Sequence, residues 1–154
     1  MIGIKLVKVN IVLLNKGVYV PYEVLKSNLK NNFQSIKGIT LIITKTPFRI
    51  SFFGGGTDYP AWFHEHGGTV LATSIDKYCY ISCRHLPPFF EHKHRIVYSR
   101  IENVNANDEI EHPSVRAVLS WASINDGIEI HHDGDLPARS GLGSSSSFTV
   151  GLIH

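Results

Sequence analysis

The stretch Pro137-Ala138-Arg139-Ser140-Gly141-Leu142-Gly143-Ser144-Ser145-Ser146-Ser147 constrains this chain more than any other. Two glycines flank one apolar residue, so the backbone can turn tightly there and a ligand can come close to it. Four serines follow at the point where a helix begins. A helix start presents unpaired N–H groups and a partial positive charge, which suits phosphate. The hydroxyls add further donors, and one of them can ligate Mg2+. A Ser-capped helix after a flexible loop explains the same spacing equally well. The loop lacks the Lys of G-x-x-x-x-G-K-[ST], so it is not a Walker loop. It also lacks G-x-S-x-G, which disfavours a hydrolase nucleophile elbow.

A second constellation lies upstream. Pro47-Phe48-Arg49 is followed by Gly54-Gly55-Gly56-Thr57-Asp58-Tyr59. Three consecutive glycines leave room for a bulky ligand. Asp58 can accept hydrogen bonds from sugar hydroxyls, and Arg49 can stabilise a phosphate or a developing alkoxide. Taken alone, the stretch reads first as a glycine turn with Asp58 as a helix cap.

Periodicity supplies the frame for both. Leu41–Phe53 is rich in β-branched and aromatic residues and reads as a strand, with Pro47 at an edge or a bulge. Asp58 or Thr57 can cap a short helix that Pro60 opens and Gly67-Gly68 ends. Thr69–Arg84 reads as one or two strands, with Tyr78, Tyr80 and Ser82 alternating against Cys79, Ile81 and Cys83. Pro87-Pro88 marks a turn, and His94–Ser99 a further strand. Pro113–Ile124 places Val115, Val118, Leu119 and Ala122 on one helical face, with Gly127 beyond its end. Ile128–His131 reads as a short strand, 133–143 as a loop, and Ser144 onward as a helix. This mixture predicts an α+β or α/β layer.

Length and charge set the limits. The 154 residues can bury one sizeable core but are short for two full domains. Residues 1–40 carry six Lys and one acid, Glu23, whereas 41–154 are net acidic and hold all nine His. A boundary is therefore placed near Lys37-Gly38, with 1–40 as a basic extension that is expected to be dispensable. Within it, Val24, Leu25, Leu29, Phe33 and Ile36 recur at helical spacing. No apolar run approaches the roughly 20 residues that cross a bilayer, and no cleavable secretory signal is present. The acidic main part speaks against a nucleic-acid surface. Two Cys fit a reducing compartment, hence a cytoplasmic protein, and Cys79 and Cys83 read as a buried thiol pair. His64-x-His66, His92-x-His94 and His131-His132 lack the partners of a zinc site and read as surface or cleft residues.

In this order, the two constellations resemble the GHMP small-molecule kinases. PFRISFFGGGTDYP is similar to that family's first motif, and Leu136–Ser147 to its glycine-rich phosphate loop. Within the family, TPFRISFFGGGTDYPAWF, IDKYCYISCRHLPPFFEHKHRIVYS and HHDGDLPARSGLGSSSSFTVGL resemble the D-glycero-D-manno-heptose 7-phosphate kinase group. The resemblance covers about residues 41–154. It implies an α+β fold, the ribosomal-protein-like βαβ domain at the N-terminal end of the GHMP kinase fold, truncated here. It implies transfer of the ATP γ-phosphoryl, with Mg2+, to a sugar hydroxyl, foremost the anomeric hydroxyl of a heptose 7-phosphate. The alternatives are another sugar, fucose or one like galactose, or a non-catalytic fragment that binds a nucleotide or a sugar phosphate.

Residue by residue, the resemblance assigns Pro137, Ser140, Gly141, Leu142, Gly143, Ser144, Ser145 and Ser146 to the nucleotide. Ser145 would ligate Mg2+, with Ser144 next in line, and Ser147 would point along the helix. Arg49 matches the catalytic-site Arg of the first motif. Gly55, Gly56, Thr57, Asp58 and Tyr59 fall to the sugar, with Asp58 on its hydroxyls. Galactokinases carry Glu-His at the positions of Gly55-Gly56, so the change enlarges the pocket toward a larger or phosphorylated sugar. The family's catalytic Asp and its third motif are expected beyond residue 154. The helix face of Phe148, Val150, Leu152 and Ile153 is then expected to lack cover, and the chain alone to lack turnover.

Overall fold

A computed structural model describes residues 4–8, 41–57 and 59–154. The helix expected within 22–36, the boundary near Lys37-Gly38 and Asp58 all lie outside the described residues. Among the described residues, six strands form one mixed sheet: β1 (Ile4–Lys8), β2 (Leu41–Phe53), β3 (Leu71–His85), β4 (His94–Val97), β5 (Ile101–Val104) and β6 (Ile128–Gly134). Their order across the sheet is β1-β2-β3-β6-β4-β5. β1 runs parallel to β2, and β4 parallel to β6; the other pairs are antiparallel. Five of the first forty residues thus extend the sheet at one edge.

The described residues also form helices α1 (Pro60–His66), α2 (Pro113–Ala122) and α3 (Ser144–Ile153), with a short 3-10 turn at Asn107–Glu109. It is an α+β arrangement. The apolar face expected of α2 is the buried one: Val115, Val118, Leu119 and Ala122 all pack inward. His112 caps its N-terminus, its Nδ1 accepting the Val115 N–H at 3.4 Å. Ser123 ends it in the left-handed region. The core joins Val115 and Leu119 to Phe48, Ile81, Ile96, Ile110, Ile128, Ile130 and Phe148. Fully burying one such side chain contributes about 1.5–3 kcal/mol.

α3 lies close on β2 and β3 because of Gly151. A Cβ there would stand 2.8 Å from Thr46 Oγ1 and 3.1 Å from Thr44 Oγ1. Both hydroxyls are buried, with no hydrogen-bond partner among the described residues.

Several local expectations change. Pro47 sits at a bulge in the pairing of β2 with β3, two residues past Lys45, where the described pairing of β2 with β1 ends. Thr69–Arg84 resolves into the single 15-residue strand β3. β5 and the 3-10 turn are additions, too short to show a period. Tyr59, not Thr57, is the N-cap residue of α1, and no side chain caps that helix. Thr57 is used elsewhere: its hydroxyl accepts the Thr69 N–H at 3.1 Å and lies 2.8 Å from the Gly54 carbonyl. Pro60 and Gly67 bound α1 as expected. Phe148 is 5% exposed and belongs to the core, so the inner face of α3 is covered there. Val150 remains exposed.

Candidate functional site

The loop from Asp135 to Gly143 is fastened to the sheet at three places. At its start, Asp135 N–H donates to the Tyr78 carbonyl at 2.9 Å, and Asp135 Oδ2 accepts the Tyr78 N–H at 2.8 Å. Near its end, Arg49 N–H donates to the Leu142 carbonyl at 3.0 Å. Just past its end, Ser147 Oγ donates to the Pro47 carbonyl at 2.9 Å. Two of these anchors fall on the β2 bulge. A bulge frees backbone groups from the ladder, and here they hold the loop.

The glycines do what the spacing implied. Gly141 and Gly143 both take φ 76°, where side chains carry strain. Arg139 shares this region at φ 62°. Gly143 has a second reason to be glycine. A Cβ on it would meet Arg49 Cγ at 2.8 Å and Arg49 Nε at 3.2 Å. The Arg49 side chain therefore runs directly against the loop, and the two sequence constellations meet at this contact.

Gly143 also caps α3 without a side chain, so nothing local satisfies the N–H groups of the first turn. The serines divide their work. Ser146 Oγ donates back to the Gly143 carbonyl at 2.9 Å. Ser147, expected to point along the helix, is instead buried and bound to Pro47. Among the described residues, the Ser144 and Ser145 hydroxyls have no hydrogen-bond partner. Free N–H donors with two free hydroxyls fit a phosphate group.

Beside Ser144 and Ser145 opens a cleft of about 260 Å³, which Arg139, His112, His132 and Phe148 also line. The two imidazoles pack on the Phe148 ring, with centroids at 4.7 Å and 4.9 Å. Burial pushes the pKa of both below the ordinary histidine range, against the pull of Glu102 on His112 and of Asp133 on His132. Both imidazoles are therefore neutral at pH 7. Sequence reasoning named His132, with His131, among the surface or cleft residues, and missed His112. The period-2 pattern carried a signal for His132, which falls on the inward face of β6 with Ile128 and Ile130. His112 stands immediately before the helix-opening Pro113.

The other assigned residues do not line this cleft. Pro137, Ser140 and Gly141 are exposed loop residues, and Leu142 is half-buried. The turn of Gly55, Gly56, Thr57 and Tyr59 sits beyond the end of β2 and does not line the cleft. Gly55 and Gly56 are exposed, and a Cβ on Gly56 would meet nothing within 4 Å. That leaves the open space expected of them. The Thr57 hydroxyl is spent on the backbone, which makes it a brace for this turn rather than a free sugar contact.

Cys79 is buried and Cys83 half-buried, both are free thiols, and burial pushes each pKa up to about 12. His64 and His66 are exposed on α1, and His94 is buried. Among the described residues, no three His, Cys, Asp or Glu side chains gather to hold a metal. None of the described helices is long and apolar enough to cross a membrane.

Residues 111–154 match the family model for the GHMP kinases N terminal domain. No curated protein is a significant match to the sequence. Among solved structures, a D-glycero-D-manno-heptose 1-phosphate kinase from Bacteriodes thetaiotaomicron matches with a TM-score of 0.58 at 21% identity, over 73% of this chain and 40% of its own. A putative sugar kinase from Campylobacter jejuni matches with a TM-score of 0.55 at 23% identity, over 74% and 39%. A mevalonate kinase matches with a TM-score of 0.52 at 19% identity, over 72% and 38%. The chain thus spans about two-fifths of the length of these structures. Its fold is one that they share.

Proposed function

We propose that this chain is the nucleotide-binding part of a GHMP-type small-molecule kinase that moves the ATP γ-phosphoryl, with Mg2+, to a sugar hydroxyl. The acceptor we infer is the anomeric hydroxyl of a heptose 7-phosphate. The observation that carries this reading is the contact of Arg49 with Gly143, which sets a guanidinium against a glycine loop at a helix start. The family match over 111–154 and the sugar kinases among similar folds support it.

Phosphoryl transfer asks for positioning and charge stabilisation more than for covalent chemistry. In this reading the N–H groups of Ser144–Ser146 hold phosphate oxygens, and the Ser145 hydroxyl holds the Mg2+. The cation draws charge from the phosphate oxygens when bound. Arg49, fixed by its own backbone bond to Leu142, offsets negative charge at the same loop. Asp58 takes sugar hydroxyls, and the open space at Gly55-Gly56 admits a substituted sugar. In this reading the loop residues bind and position, and none of them is given the role of accepting the hydroxyl proton. The protein is expected to be cytoplasmic and to need neither nucleic acid nor membrane.

The test is a titration of the isotope-labelled chain with Mg-ATP, followed by amide shifts. Saturable shifts centred on Gly141–Ser146 support the reading, and shifts elsewhere only would overturn it. Sugar competition then decides the acceptor. Tighter binding of galactose than of heptose 7-phosphate sinks the heptose assignment.

A further inference from the structure

The sheet has a second face, turned away from α2 and α3. The pleat sends Ile81, Ile96, Ile128 and Ile130 into the core, so their neighbours along each strand point the other way. On that outer face the register places three residues of adjacent strands in one row: Arg84 of β3, Glu129 of β6 and Arg95 of β4. His131 follows two residues along β6.

We propose that Arg84, Arg95 and His131 form an anion site that takes a phosphate dianion, free or as a monoester. The Glu129 side chain is only 4% exposed and lies beneath the three. Arg84 Nε donates to its Oε2. Arg95 Nη1 lies 3.6 Å and His131 Nε2 3.1 Å from its Oε1. Burial works against the charged form of Glu129, but His131 and Arg84 outweigh it and hold the carboxyl below its ordinary range. It is an anion at neutral pH.

One carboxylate then faces two permanent cations and an imidazole, so positive charge is left over. Arg95 Nε is buried and has no acceptor among the described residues. The Arg84, Arg95 and His131 side chains are 43%, 34% and 41% exposed, so solvent reaches them. Their grip on Glu129 holds the two guanidinium forks in place before a ligand arrives, which lowers the entropy cost of binding. A fork matches two phosphate oxygens at once. Of the other charges on this face, Lys45 lies over the Tyr78 ring at 3.7 Å, and Asp133 stands two residues beyond His131.

This site is separate from the phosphate loop, which follows the opposite end of β6, and it does not rest on the kinase reading. The experiment titrates the labelled 154-residue chain with inorganic phosphate against chloride at matched ionic strength, following backbone and arginine Nε–H shifts. The expected result is one saturable event centred on Arg84, Arg95 and His131 that survives Ser145→Ala. Arg84→Gln or Arg95→Gln should weaken it about tenfold or more, with partial recovery in Arg84→Lys. Glu129→Gln, which removes the only negative charge in the row, should tighten it. Shifts confined to Gly141–Ser146, or a response equal to that of chloride, would overturn the proposal. Because the unaltered chain gives the decisive map, a variant that fails to fold does not rescue it.

Discussion

Ser147 Oγ reaches the carbonyl of Pro47, one hundred residues earlier, in a buried hydrogen bond of 2.9 Å. It ties the helix after the phosphate loop to the β2 bulge, two residues before Arg49. Ser147→Ala should cost about 1–3 kcal/mol, because the Pro47 carbonyl is left buried without that partner. Chemical denaturation should show a lower midpoint. Mg-ATP affinity of the fraction that remains folded should change less than in Ser145→Ala.

Ser145→Ala should act the other way round. The Ser145 hydroxyl makes no internal hydrogen bond, so its loss should leave stability within about 0.5 kcal/mol. Mg-ATP binding should weaken about tenfold, and the difference between ATP with and without Mg2+ should shrink. In an enzyme that turns over, the loss should be on the order of 100-fold. Equal, small effects from Ser144→Ala and Ser145→Ala would place the loop in another register.

Gly141 and Gly143 share a φ of 76° but not their surroundings. Gly141→Ala meets open space and should cost only the left-handed strain, about 1–2 kcal/mol. Gly143→Ala adds a clash with Arg49 Cγ, 2.8 Å from the new Cβ. It should cost clearly more stability and displace Arg49. Melting temperatures and Mg-ATP titrations of the two variants, side by side, check this.

Acid should loosen the fold in two stages. His94, His112 and His132 have depressed values in the folded state, chiefly from burial. The unfolded chain therefore takes up protons first. Their contribution is fully present above the ordinary value of 6.5 and falls as pH drops through and below it. Glu129, also depressed, holds its contribution above 4.5 and loses it at lower pH. Unfolding free energy measured from pH 7.5 to 5 should decline by up to about 1.4 kcal/mol per unit for each histidine that titrates. A flat profile over that range would contradict the buried neutral imidazoles.

Residue pattern alone determined what is local. Val115, Val118, Leu119 and Ala122 are three, one and three residues apart, and any helix that long puts them on one face. Two glycines before four serines likewise specify a turn that opens a helix, whatever surrounds it. The partners across the chain were decided only by the tertiary structure. Ser145, Ser146 and Ser147 are identical in sequence, yet one hydroxyl is free, one closes on Gly143 and one is buried on Pro47. Their directions differ by the helix rotation of about 100° per residue, but which direction meets β2 depends on how α3 crosses the sheet. The same holds for Arg49 against Gly143 and for His112 beside His132. Periodicity carries no information about contacts between segments dozens of residues apart. Those contacts form because Phe48, Phe148, Ile130 and Val115 can be buried together only when β2, β6, α2 and α3 converge.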